Sequence, residues 1–153
     1  MVTLRPLLAV ADVDEAASFY CDKLGFELQF SLQDKSGATF FASLSIFDCI
    51  ILLRLEQARD VPPSLRRRVR ADVTISITLP ADIKIDGFCA GVAAKGVTIT
   101  EALEDKFWGN REFSIQDPDG YCLAFAQSKH DVSIDEAQDI SAQLDMQPPA
   151  ADD

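Results

Sequence analysis

The sequence predicts an α+β fold: two tandem βαβββ modules whose curved sheets surround a cleft. Two observations predict it. The order strand, helix, strand, strand, strand runs through the chain twice, an internal duplication of one supersecondary unit. Gly25 and Gly96, 71 residues apart, each follow a helical stretch and open a strand-like one, as a glycine past a helix C-terminus does. Such a module cannot bury its concave face alone. Pairing two of them, within a chain or across a dimer, turns those faces into the kind of cleft where small ligands bind.

The first module spans residues 1–56. Leu7-Leu8-Ala9-Val10 is a short apolar run that reads as a buried strand. Asp12 or Asp14 caps a helix from about Val13 to Leu24, with Ala16, Ala17, Phe19, Tyr20 and Leu24 as its apolar stripe. Strands follow over Phe26–Leu32, Ala38–Ser45 and Cys49–Leu55, with turns at Asp34–Gly37 and Phe47-Asp48. Residues 57–70 form a polar connector holding Pro62-Pro63 and Arg66-Arg67-Arg68. That arginine run reads either as a solvated linker or as a docking patch for an anion.

The second module spans residues 71–127. Val73, Ile75, Ile77 and Leu79 alternate as a strand, and a helix runs from about Asp82 to Lys95. Strands then cover Val97–Ala102, Glu112–Gln116 and Tyr121–Ala126. Asp117-Pro118-Asp119-Gly120 is a turn in which proline presets φ and glycine accepts a positive one. Residues 128–153 form an acidic tail with a short helix near Asp135–Leu144, and disorder is expected over Met146–Asp153.

The composition, 48% hydrophobic and 25% charged, is that of a soluble globular protein. No apolar run is long enough to span a bilayer. The start, Met1 to Pro6, runs directly into a strand and lacks the layout of a signal peptide, which predicts a cytoplasmic protein. The four cysteines show no CxxC spacing and read as buried small apolar side chains. A net charge of −11 disfavours nucleic acid as a partner and favours a cationic ligand, although acidity also serves solubility.

Two stretches carry a resemblance. One is Pro6-Leu7-Leu8-Ala9-Val10-Ala11-Asp12-Val13 with Phe19-Tyr20 and Leu24-Gly25-Phe26. The other is Trp108-Gly109-Asn110-Arg111-Glu112-Phe113 with Asp117-Pro118-Asp119-Gly120. Together they resemble the vicinal-oxygen-chelate superfamily, also called the glyoxalase/bleomycin-resistance/dioxygenase superfamily, over both modules. Its catalytic members use His, Glu or Gln lining the cleft to hold a metal. The matching positions here are Arg5 or Pro6, Asp72 or Val73, and Ala124; Glu56 is an isolated carboxylate, and the one histidine, His130, lies past the last strand. The resemblance therefore implies no metal and no cofactor. It points to the metal-free, bleomycin-resistance branch, whose members are similar in being acidic homodimers that sequester a cationic glycopeptide. Pro6 matches a proline that in that branch accompanies exchange of the N-terminal strand between subunits.

By that resemblance Phe41 and Trp108 fall near stacking aromatics. A flat cation between two rings gains roughly 1–3 kcal/mol. Arg111 binds a carboxylate or stacks, or else pairs with a local acid, while Trp108 packs under its loop. The candidate ligand-binding residues are Phe40, Phe41, Phe47, Asp48, Trp108 and Arg111. The expected function is sequestration of a cationic or aromatic antibiotic-like compound in a dimer cleft, with no nucleic acid or membrane partner. A metal-dependent lyase or extradiol-type dioxygenase with a degenerate site is the alternative.

Overall fold

Helix packing against one side of each sheet, together with strand register, sets which face is core and which is open, and so positions the site. The structure, a computed structural model, describes residues 3–144. The expectation of disorder over Met146–Asp153 lies outside those residues. In chain order the elements are β1 (Leu7–Val10), α1 (Val13–Ser18), β2 (Glu27–Gln33), β3 (Thr39–Ile46), β4 (Cys49–Leu55), α2 (Arg66–Ala71), β5 (Thr74–Thr78), α3 (Ile85–Ala94), β6 (Ile99–Asp105), β7 (Asn110–Gln116), β8 (Cys122–Ser128) and α4 (Ile134–Gln143). They build two four-stranded sheets of identical topology, β1-β4-β3-β2 and β5-β8-β7-β6. In each, the first strand pairs parallel with the last and the other pairings are antiparallel. The duplication read from the sequence is thus a duplication of topology. Among the described residues no helix is long and apolar enough to cross a membrane.

Three helices differ from expectation. The first begins where its cap predicts, Asp12 accepting from the Glu15 amide at 2.8 Å. It gives way after Ser18 to a π-helical turn over Phe19–Lys23 before Gly25 turns the chain at φ +82°. The second starts at Ile85 rather than Asp82, because Pro80–Ile83 closes a turn of its own. Its N-terminus is capped from across the sheet: Gln127 of β8 accepts from the Ile85 amide at 3.2 Å. The third difference lies in the connector, where Arg66–Ala71 forms α2. Its Arg70 is only 6% exposed rather than solvated.

One face of each sheet is covered by a helix. Val13, Ala16 and Tyr20 join Leu8, Val10, Ala42, Leu44 and Leu53 in the core. Phe88 of α3 meets Phe113 and Phe125 at ring distances of 6.1 and 5.0 Å. The two modules are tied together on this helix side. The Tyr20 hydroxyl donates to Asp117 Oδ2 at 2.6 Å, and Tyr121 Oη both accepts from the Ala9 amide (3.0 Å) and donates to the Ala9 carbonyl (2.9 Å). Lys23 Nζ reaches the Lys95 carbonyl at 2.6 Å. From α2, Arg66 and Arg70 both pair with Glu56; Arg70 also donates to the Asp119 carbonyl at 2.9 Å and lies 4.5 Å from the Tyr121 ring centroid.

Gly109 carries a constraint of another kind. It sits at φ +93°, and a Cβ there would stand 2.4 Å from the His130 carbonyl oxygen and 2.8 Å from Val132. The Lys129 amide donates to the Gly109 carbonyl at 2.9 Å, so the chain after β8 lies directly on this turn. Gly109→Ala is expected to cost about 2 kcal/mol through strain and backbone collision. Amide exchange should then speed up over residues 129–143 before it does in the sheets; unchanged exchange there would contradict the packing.

Candidate functional site

The faces opposite the helices are open, and strand register says what they present. Cross-strand partners project to the same side of a sheet. On the first sheet one row runs Ala9–Arg54–Phe41–Leu32 across all four strands, and the next runs Leu7–Leu52–Ser43–Phe30. Alternation places both rows away from Leu8, Val10, Ala42, Leu44 and Leu53, which fill the core. This face is aromatic and apolar. Phe30 stacks on Phe41 with centroids 6.0 Å apart and an interplanar angle of 25°, and Leu7 and Phe30 are each about half exposed, at 51% and 50%.

The corresponding rows of the second sheet are Thr78–Ala126–Glu112–Glu104 and Ser76–Ala124–Ser114–Glu101. They carry three carboxylates, hydroxyls and alanines. Ser114 Oγ donates to Glu101 Oε2 at 3.2 Å, and Glu112 Oε1 accepts from the Trp108 indole N–H at 2.8 Å and from Asn110 Nδ2 at 3.0 Å. A carboxylate that holds an indole at the rim and keeps a second oxygen for a ligand suits an amine or guanidinium. One face is therefore greasy and flat, the other acidic and small.

The six residues singled out from the sequence divide among four places. Phe41 lies in the aromatic row, and Phe40 beside it at a bulge where the β2–β3 register shifts. Trp108 stands in the β6–β7 turn, 43% exposed, edge-on to Phe107 at 4.8 Å and bonded to Glu112 on the acidic face. Phe47 and Asp48 make the β3–β4 turn. Phe47 takes φ +52° and leans toward Phe88 of α3, on the helix side. Asp48 borders a groove of about 530 Å³ between the start of β4 and β5, which Leu4, Ile50, Thr74 and Ser76 also line.

Arg111 alternates with Glu112 and so points to the helix side. There it binds Asp86 of α3 (Nη2–Oδ1 2.9 Å) and Asp105 of β6 (Nη1–Oδ1 3.0 Å). Of its two readings, pairing with local acids is the one seen. Within this chain no hydrogen bond or ring contact among the described residues joins Phe40 or Phe41 to Trp108 or Arg111; the aromatic and acidic halves stand on different sheets.

Sequence reasoning missed Phe30, Arg54, Glu101, Glu112 and Ser114. Glu112 lies inside the motif that drew attention to Trp108, and strand alternation from Phe113 identifies it as facing the other way. Phe30 had no such signal, because bulges in β2 shift its register.

The positions where relatives of catalytic type carry metal donors do not form a donor set. Ala124 sits in the middle of the acidic face without a ligating atom, and both Glu56 oxygens are engaged by Arg66 and Arg70. Among the described residues no three His, Cys, Asp or Glu side chains stand close enough to share a metal ion. The residues present do not fit a metal centre. The four cysteines are free, and burial pushes the thiols of Cys21, Cys89 and Cys122 up, away from a reactive thiolate.

Comparison with known proteins gives concordant matches. The model of the Glyoxalase/Bleomycin resistance protein/Dioxygenase superfamily matches residues 3–125. A bleomycin resistance protein of Geobacillus stearothermophilus is 28% identical over 136 residues, covering 83% of this chain and 97% of that protein. Among solved structures, TioX from Micromonospora sp. ML1 superposes with a TM-score of 0.64 at 19% identity, over 86% of this chain and all of that one. The bleomycin-binding protein from bleomycin-producing Streptomyces verticillus, complexed with copper(II)-bleomycin, gives a TM-score of 0.58 at 22% identity, over 82% and 94%.

Proposed function

Because the chain belongs to the Glyoxalase/Bleomycin resistance protein/Dioxygenase superfamily, we propose that it is a metal-independent binding protein that sequesters a cationic or aromatic antibiotic-like compound in the cleft of a homodimer. The observation that carries this reading is the pair of open sheet faces with complementary chemistry. The aromatic face of one chain, set against the acidic face of a second, encloses a slot. Rings from Phe30 and Phe41 then form one wall, and Trp108, Glu101 and Glu112 the other. A flat ring stacked on the phenylalanines gains dispersion, and an attached amine gains a charge-assisted bond to a carboxylate already oriented by its neighbours. Both chains contribute to each site, so ligand binding and dimerisation are coupled. The similarity to a bleomycin resistance protein supports a bleomycin-type ligand. Four free cysteines accord with a cytoplasmic setting. A metal-dependent lyase or dioxygenase would need donors that Ala124 and the doubly paired Glu56 do not provide.

The test uses the single tryptophan, Trp108. Titration with metal-free and copper-loaded bleomycin at low salt is expected to quench it saturably at one ligand per chain. Trp108→Phe, followed by calorimetry, should weaken binding about tenfold, and 0.5 M salt should weaken it further, since screening acts on the carboxylates. Sedimentation should show a dimer. A monomer, or a dimer giving no calorimetric signal with either form of bleomycin, would sink the proposal.

A further inference from the structure

Arg54 is a charged side chain on the aromatic face that neither the motifs nor the proposed clamp uses. Arg54 stands in the row Ala9–Arg54–Phe41–Leu32, directly across the strands from Phe41. Its other neighbour in the row is Ala9, too small to cover it. Asp60 of the connector grips it end-on: Nη1–Oδ2 is 2.7 Å and Nη2–Oδ1 2.8 Å, while Nη1 also reaches the Leu55 carbonyl at 3.3 Å. Asp60 is itself fixed by the Gln57 amide at 2.6 Å. The pair is well formed, and the Arg54 guanidinium holds the Asp60 carboxyl well below the usual carboxylate range.

A guanidinium has five N–H donors in a rigid fork. Asp60 and Leu55 take the Nη1 side and one Nη2 hydrogen. The Nε–H and the outer Nη2–H, which share the remaining edge, meet no acceptor among the described residues. That edge offers two parallel donors, the geometry that matches a carboxylate, and the side chain is 25% exposed. Phe41 supplies a ring surface in the same row.

We infer that Arg54 is a specificity-determining residue that binds a carboxylate on the aromatic ligand held at the Phe30–Phe41 stack. The ligand is then an aromatic acid or zwitterion, its anionic end on the apolar sheet and any amine on the acidic sheet. This rests on the binding reading above and narrows it. Asp60 acts as a positioning residue that presents the free edge and offsets the charge.

The probes are naphthalene-2-carboxylate and its neutral counterpart naphthalene-2-methanol, titrated into the full chain labelled with nitrogen-15. The wild type is expected to bind the acid about tenfold more tightly than the alcohol, with the Arg54 Nε–H resonance moving on acid addition only. The double variant Arg54→Gln, Asp60→Asn removes both charges and so leaves no buried unpaired ion. It should lose the preference for the acid while holding the alcohol within about twofold of wild type, and Asp60→Asn alone should retain part of the preference. Three results would overturn the assignment: equal affinity for acid and alcohol, an unmoved Nε–H resonance, or a double variant that still prefers the acid. Equal affinity leaves the ring clamp intact, as does a Trp108 response to bleomycin without one to either probe. Failure of both forms of bleomycin removes the clamp as well.

Discussion

Replacing Arg70 with methionine is expected to lower the stability of the protein by about 3 kcal/mol, read as a shift in the urea midpoint without a change in slope. The guanidinium is almost fully enclosed, and it serves three partners on both modules: Glu56 at the end of the first sheet, and the Asp119 carbonyl and Tyr121 ring of the second. Removing one member of a buried ion pair costs about 3–5 kcal/mol, because the other charge stays desolvated. Arg66 still attends Glu56, which places the expected loss at the lower end. Glu56→Gln should also destabilise, since Arg66 and Arg70 bond different carboxylate oxygens and an amide keeps an acceptor for only one of them. A loss below about 1 kcal/mol for Arg70→Met would mean that the connector helix does not tie the modules together.

The second large effect is a dependence on pH. Asp117 is buried in the turn between β7 and β8, and desolvation pushes its carboxyl up to about 6, although bonds from Tyr20 and the Tyr121 amide pull the other way. The folded state therefore holds a proton that the unfolded chain, with an ordinary aspartate near 3.8, releases earlier. That contribution is fully present below about pH 4 and is lost as the pH rises through 6. A shift of two units amounts to about 3 kcal/mol. Asp117→Asn should flatten this part of the stability profile when wild type and variant are compared across pH 4–7. Tyr20→Phe removes a bond that favours the charged form and should move the transition to higher pH. Parallel profiles for wild type and Asp117→Asn would refute the account.

What was legible in the sequence followed from local chemistry. Asp12 as a cap, Gly25 and Gly96 as helix stops, and the alternating apolar residues of β5 are signals carried by neighbouring residues, and those elements lie close to where they were expected. The site was legible only in part, because a strand residue's facing depends on register. Phe41 and Trp108 are on or beside open faces. Arg111, one residue from Glu112, is turned to the helices by that single step, since side chains on a strand alternate. Phe30 reaches Phe41 only because bulges in β2 shift its alignment. Arg54 and Arg70 owe their roles to Asp60, Glu56 and Asp119, partners that no spacing rule connects to them. Helix α2 had no cap and no apolar stripe to announce it; its place comes from Glu56 and from the close approach of Gly120 to Arg67.

The parallel pairing of first and last strands has a consequence for how the chain is made. β1 is laid down early but finds its hydrogen-bonding partner only when residues 52–55 appear, and β5 waits in the same way for residues 122–126. Each module thus closes at its final strand, and on the ribosome the first can be complete before most of the second exists. The Tyr20 hydroxyl is then still unclaimed, because Asp117 lies 97 residues further along. The turn between the last two strands thus settles a polar group stranded early in the chain, so this tie between the halves must wait for the second module.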